Sequence, residues 1–156
     1  MVVLRKMNDE EFSVYLSYSV KNYGEEKAKA GNWPKEKALE LAQQEFDQLL
    51  PDGLHTKNHF LYQIVDETSN EKVGYLWFHE RGEDQKTAFI YDFLIYEKHR
   101  GRGYAKQVLA ALEEVAKDRG IKTIRLHVFG HNQTAIKLYE KCGFEATNIQ
   151  MAKMIF

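Results

Sequence analysis

The chain has 156 residues, 44% of them hydrophobic and 13% aromatic, with a formal net charge of −1 and a pI of about 6.6. That length suits one domain with one main core, and the apolar content excludes a disordered chain. The near-neutral balance argues against a dedicated nucleic-acid binder. The one cysteine, Cys142, excludes an internal disulfide and belongs to no metal-ligand cluster, so a reducing compartment and a metal-free protein are expected. The opening "MVVLRKMNDEEF" lacks the apolar run of a signal peptide, and no stretch approaches the roughly 18 apolar residues of a membrane span. A cytoplasmic protein without membrane partners is the expectation.

In chain order, residues 2–6 read as a strand. Asn8 or Asp9 caps a helix predicted to run to about Asn22, with Phe12, Leu16 and Val20 on its apolar face. "GNWP" interrupts, and Pro34 opens a second helix ending near Leu50, before Pro51 and Gly53. "HFLYQIVD" and "KVGYLWFHE" predict two strands whose short connection makes them antiparallel neighbours. "TAFIYDFLIY" is apolar on both faces except at Asp92, the pattern of a central strand. A helix over 103–119, a strand "IKTIRLHVF", a helix "HNQTAIKLYEKC" and one or two strands in "FEATNIQMAKMIF" complete the chain. Strand, loop, helix and strand over 87–128 predict a crossover between parallel strands.

Between the central strand and the 103–119 helix lies "YEKHRGRGYAKQ", with two glycines and five basic side chains, counting His99, in twelve positions. Residues 98–125 hold eight basic and three acidic side chains, a balance of 8 − 3 = +5. A helix start exposes about four unpaired N–H groups and carries partial positive charge, so anions bind there. Gly101 and Gly103 let backbone donors approach a phosphate closely, and Arg100, Arg102 and Lys106 add charge. A pyrophosphate suits such a site; a tight turn that needs only positive φ angles would use the same glycines. Neither a dinucleotide-binding G-x-G-x-x-G nor a Walker A loop is present, because position 106 is Lys and no G-K-[ST] follows.

Residues 100–105, "RGRGYA", match [QR]-x-x-G-x-[GA], the acyl-CoA pyrophosphate loop of the GNAT superfamily of N-acetyltransferases, which this sequence resembles. About 30 residues downstream, "HNQTAIKLYEKCGF" matches a second hallmark, N-x-x-A-x-x-x-Y-x-x-x-G-F, through Asn132, Ala135, Tyr139, Gly143 and Phe144. The likeness covers about residues 72–156. It implies a mixed α/β acyl-CoA N-acyltransferase fold: a mostly antiparallel central sheet of about six to seven strands flanked by about four helices. Residues 1–156 would form a single domain, with 1–58 shaping the acceptor site and 59–156 binding the cofactor.

The resemblance implies acetyl-CoA as acyl donor and an amine as acceptor. It assigns the backbone of Phe93, Leu94 and Ile95 to the pantetheine amides, provided that a strand edge opens there. It assigns the pyrophosphate to Arg100, Gly101, Arg102, Gly103, Tyr104, Ala105 and Lys106. It gives Asn132 to the pantetheine arm, on a helical stripe shared with Tyr139 seven residues on.

Direct transfer needs a neutral amine, and a lysine-like amine is neutral only about once in 2,500 at pH 7. The departing thiolate benefits from a proton. The resemblance gives that role to Tyr139, whose ordinary pKa of about 10 keeps it protonated. For the base, Asp92 stands in an apolar strand where burial would raise its pKa, although structural hydrogen bonds would explain it equally well. His127 is a rival and His79 a third candidate, each also readable as a strand histidine.

The acceptor itself is not written in these motifs. It falls to regions 8–58 and 80–87, with Glu25, Glu26, Glu83 and Asp84 as carboxylates and Tyr15, Tyr18, Tyr23 and Trp33 as aromatic walls, or as ordinary surface and core. Dimers are common among such proteins, so a homodimer is possible by analogy. A non-catalytic acyl-CoA-binding or sensing module is the alternative to an enzyme.

Overall fold

The computed structural model describes residues 1–156, the side chain of Gln85 excepted. Its elements are β1 (Val2–Lys6), α1 (Asp9–Lys29), α2 (Ala38–Leu49), β2 (His59–Asp66), β3 (Lys72–Arg81), β4 (Thr87–Ile95), α3 (Tyr104–Asp118), β5 (Thr123–Leu126) and α4 (Gln133–Lys141). The strands form one sheet in sequence order, with β1–β2, β2–β3 and β3–β4 antiparallel and β4–β5 parallel. The mixed α/β class, the antiparallel β2–β3 pair and the parallel β4–α3–β5 unit are as the sequence predicts.

Alternation along the strands divides the core between the two sheet faces. Ile64, Val73, Leu76, Phe78 and Ile90 pack with Val108, Leu109 and Leu112 of α3 on one face. Leu61, Tyr75 and Trp77 pack with Tyr15 and Val20 of α1 and Ala42 and Phe46 of α2 on the other. Strands covered on both faces read as near-continuous apolar runs.

The structure departs from the sequence expectations in four places. The sheet has five strands rather than six or seven, because residues 144–156 form no strand and lie exposed from 145 onward. The predicted strand over 121–129 shrinks to Thr123–Leu126, since β4 pairs with it over only four residues. The first helix runs past Asn22 to Lys29: Gly24 ends nothing, but lets α1 approach α2 so closely that an added Cβ would stand 2.8 Å from the Ala38 carbonyl oxygen. Pro34 precedes a short 3-10 turn, and α2 begins at Ala38.

The start of α1 is fixed by a buried carboxylate. Asn8 Oδ1 accepts from the Glu11 N–H at 2.8 Å, and Glu11 Oε1 accepts from the Asn8 N–H at 3.0 Å, a reciprocal capping box. Glu11 also pairs with Arg5 of β1 at 2.8 Å and Lys72 of β3 at 2.7 Å, tying the helix start to two strands. Burial alone would push the Glu11 carboxyl up; hydrogen bonds from Arg5, Lys72 and Asn8 outweigh it and hold the group at about 2. A depressed carboxylate stabilises the fold above its ordinary value of 4.5, and that stability is lost as pH falls from there toward about 2. Replacement Glu11→Gln should cost about 1–3 kcal/mol at neutral pH and flatten this acid limb in chemical denaturation measured between pH 2 and 7.

Candidate active site

The site starts from an extra residue in β4. Opposite β3, Asp92 pairs with Trp77 but Ile90 pairs with the next residue, Phe78, so Tyr91 is bulged out of the ladder. On the other side of β4, pairing with β5 ends at Ile90–Leu126. From Tyr91 to Ile95, β4 therefore keeps β3 on one edge and has no strand on the other. A bulge bends and twists a strand, which is how two parallel neighbours come apart. Phe93, Leu94 and Ile95 lie on this stretch, where alternate residues turn their backbone N–H and C=O away from β3 toward the open edge. The Ile95 carbonyl accepts from Arg100 Nε at 2.8 Å, which draws the following loop against the strand end.

That loop leads into α3. Gly101 and Gly103 have φ of +77° and +80°, and an added Cβ at either would meet nothing within 4 Å. Their positive φ explains the glycines locally, and the space before them leaves room for a ligand. Gly103 is the N-cap of α3 and provides no side-chain cap, so no side chain takes up the helix's first N–H groups. Arg102 and Lys106 are exposed beside them. Tyr104 turns its phenol aside to Asp66 at 2.5 Å and offers the loop only its backbone. His99, counted with the basic residues in the sequence, is instead buried beneath the loop against Tyr104. An open edge, two bare glycines and uncapped N–H groups together fit a pyrophosphate with an extended arm.

Asp92 projects from the strand toward α1. Its Oδ2 accepts from the Tyr15 hydroxyl at 2.7 Å, and Tyr15 packs edge-on against Tyr75 at 4.7 Å. Ser19, one turn after Tyr15, donates to the Tyr75 hydroxyl at 3.4 Å. Burial raises the Asp92 carboxyl to about 6, while hydrogen bonds from Tyr15, the Phe93 N–H and Ser19 limit the rise. Tyr139, on α4, is half-buried with its ring edge-on to Phe144 at 5.6 Å. Burial, then the negative charge of Asp92, pushes its phenol up to about 12, above the ordinary value used in the sequence reading. Asp92 and Tyr139 thus share one electrostatic neighbourhood, although 47 positions separate them in the chain.

The other candidates have different neighbours. His127 follows β5 on an exposed loop, edge-on to Phe129 at 4.9 Å, and burial and the Lys27 charge lower its pKa. His79 stacks on His59 at 4.1 Å, with its pKa lowered by burial and by Arg81. Neither is among the groups that shift Tyr139. Asn132 departs from the predicted helical stripe. It is the N-cap of α4, outside the helix, with Oδ1 accepting from the Ala135 N–H at 3.2 Å. A short side-chain carbonyl serves orphan helix N–H groups well, which is why Asn favours this position.

Of the aromatic residues considered for the acceptor, Tyr15 joins Asp92, and Tyr18 lines a cavity of about 540 Å³ beside the first half of α1. Tyr15, Tyr75, Tyr96 and Leu94 also line that cavity, so it abuts the Asp92 cluster. Tyr23 and Trp33 meet edge-on at 5.7 Å under the Lys27 ammonium. Glu26 pairs with His131 at 2.5 Å, whereas Glu25, Glu83 and Asp84 make no ion pair among the described residues. Ser19 and Tyr75 have no part in the sequence expectations; the available signal is a serine one turn after Tyr15 on the buried face of α1.

A bulged strand parting from its parallel neighbour, followed by a glycine loop that starts a helix, defines an acyl-CoA transferase fold. The chain belongs to the Acetyltransferase (GNAT) family, which matches residues 22–144. It is an N-acetyltransferase of that family. It is 51% identical over 99% of both chains to YycN of Bacillus subtilis (strain 168), named an uncharacterized N-acetyltransferase. The crystal structure of YycN superposes with a TM-score of 0.95 at 48% identity, covering 100% of this chain and 99% of that one. YdgE of the same organism, also named an uncharacterized N-acetyltransferase, is 37% identical over 97% of each chain. The PaiA N-acetyltransferase of Thermoplasma acidophilum, solved with coenzyme A, shares the fold at 15% identity with a TM-score of 0.71, covering 96% of this chain and 93% of that one.

Because the Tyr15 hydrogen bond holds Asp92 down, Tyr15→Phe should move the Asp92 carboxyl above about 6. Carboxyl-carbon NMR titration, with Asp92→Asn to assign the resonance, reads that shift directly.

Proposed function

We propose that this protein transfers an acetyl group directly from acetyl-CoA to the primary amine of a small molecule or peptide, with Asp92 as base and Tyr139 as acid. The observation that carries this reading is that Asp92 stands just beyond the point where β4 leaves β5 and that its charge acts on the Tyr139 phenol. Acetyl-CoA supplies the activated acetyl thioester. The N–H groups and exposed cations of 100–106 hold the diphosphate, the open edge at Phe93, Leu94 and Ile95 holds the pantetheine amides, and the free amide nitrogen of Asn132 can reach the same arm.

Asp92 serves as base because burial places it at about 6, so it is ionised at neutral pH yet close enough to accept a proton. The amine reaches it from the α1 face, where the cavity shares the walls Tyr15 and Tyr75 with the Asp92 cluster. Tyr139 stays protonated over the working range and donates to the departing sulfur. Asp92 and Tyr139 act in concert. While Asp92 is charged it holds the Tyr139 proton on; once Asp92 takes the amine's proton, that charge is neutralised and Tyr139 becomes a stronger acid.

Followed by thiol release from acetyl-CoA across a panel of polyamines, aminoglycosides, amino acids and peptides, the wild type should turn over at least one amine. Tyr139→Phe should retain coenzyme A affinity by calorimetry and lose about 10²–10⁴-fold in kcat. No turnover on any amine, or an unimpaired Tyr139→Phe enzyme, would refute the assignment. The acid limb of kcat/KM should rise with pH through about 6 as Asp92 ionises, and Asp92→Asn should abolish that limb. An unchanged limb in Asp92→Asn would exclude Asp92 as the base.

A further inference from the structure

We infer, on the reading that residues 100–106 hold the diphosphate, that the His99 and Tyr104 side chains are positioning groups. They fasten this loop from beneath to the connection between β2 and β3. That connection is itself a firm support. Asp66 Oδ1 accepts from the Thr68 and Ser69 N–H groups at 2.8 and 3.4 Å. The Asp66 N–H donates to the Glu71 carbonyl at 2.9 Å, and the Asn70 N–H donates to the Asp66 carbonyl at 2.7 Å. A side-chain carboxylate that bonds its own turn in this way fixes the turn's shape.

Three contacts run from this support to the loop. Just after β4, the Tyr96 N–H donates to the Val73 carbonyl at 2.8 Å. At the first residue of α3, the Tyr104 hydroxyl donates to Asp66 Oδ2 at 2.5 Å. Between them His99 Nε2 faces Glu71 Oε2 at 3.7 Å, longer than a hydrogen bond but within reach of an ion pair. The loop is thus held at both ends. In its middle, an added Cβ at Gly101 or Gly103 would meet nothing within 4 Å. Backbone donors on a loop fixed at its ends are already aimed, so less order is lost when an anion binds.

Packing alone explains neither the histidine nor the acids. The His99 residue is 4% exposed, and among the described residues neither ring nitrogen has a hydrogen-bond partner. Unsatisfied buried nitrogens cost stability, and an apolar ring of similar shape avoids that cost. A phenyl ring would also pack edge-on against Tyr104, as the imidazole does at 6.2 Å. What it would lack is the nitrogen that faces Glu71. Asp66 and Glu71 in turn are carboxylates set beside an anion site. Hydrogen bonds from Tyr104 and from the turn N–H groups hold the Asp66 carboxyl below its ordinary value, so it stays charged there. By charge alone both acids oppose a diphosphate. As anchors for Tyr104 and His99 they favour it, so charge and bracing predict opposite signs.

Calorimetric titration of the full chain with coenzyme A reads that sign. Glu71→Ala and Tyr104→Phe should each weaken binding by about 2–10-fold. His99→Phe should weaken it as much as Glu71→Ala does, while its Tm equals or exceeds that of the wild type. The Glu71→Ala/His99→Phe double variant should bind no more weakly than the weaker single variant, because both changes break one contact. Tighter or unchanged binding in Glu71→Ala, additive losses in the double variant, or a Tm of His99→Phe that falls together with affinity would overturn the bracing role. With a wild type that binds coenzyme A, any of these results leaves the diphosphate assignment intact. A wild type that does not bind coenzyme A would overturn both.

Discussion

The structure depends on the parting of two parallel strands. β4 and β5 pair from Thr87–Thr123 to Ile90–Leu126, and then the bulged Tyr91 turns β4 away. Continued pairing would bury the backbone groups of 91–95 in a ladder and close the sheet there. Because it stops, β4 keeps one edge without a strand beyond Ile90. The α3 and α4 face carries the glycine loop and Tyr139; the α1 and α2 face carries Tyr15, Ser19 and Tyr75. Asp92 sits where they meet.

Electrostatics at that point follow from depth rather than from a dense array of charge. Among the described residues Asp92 has no cationic partner; its bonds come from hydroxyl groups and a backbone N–H. Neutral donors moderate the cost of burying a carboxylate without cancelling it, which leaves the group near neutrality instead of far below. Glu11 shows the contrast within the same chain. With Arg5 and Lys72 beside it, that carboxylate is held at about 2 and serves to anchor a helix start. Two acids set into the core thus titrate far apart through the charge of their neighbours.

Much of this was legible in the residues. "YDFLIYEKHRGRGYA" announces a buried strand with one acid, then a glycine-rich basic turn, then a helix, because each needs its own local composition. The second motif marks Tyr139 and the stop at Gly143 in the same way. Asn132 was legible as a residue but not in its geometry: seven positions from Tyr139 suggests one helical face, yet the side chain caps the helix from outside it. His99 read as a loop cation and is buried, since composition does not say which side of a turn a side chain takes.

Local pattern alone therefore determined most of the element types up to residue 143, the α/β class, the glycine-rich basic turn before a helix and the polar residues out of place in apolar runs. These depend on periodicity and on backbone freedom at particular glycines, which are properties of a few neighbouring positions. Tertiary structure decided how long β5 would be, that α1 would continue through Gly24 to pack on α2, and that Tyr15, Ser19 and Tyr75 would surround Asp92. It also left residues 145–156 without a strand to join. Each of these outcomes hangs on contacts between residues distant in sequence, where packing and the supply of unpaired backbone edges outweigh what any short stretch prefers by itself.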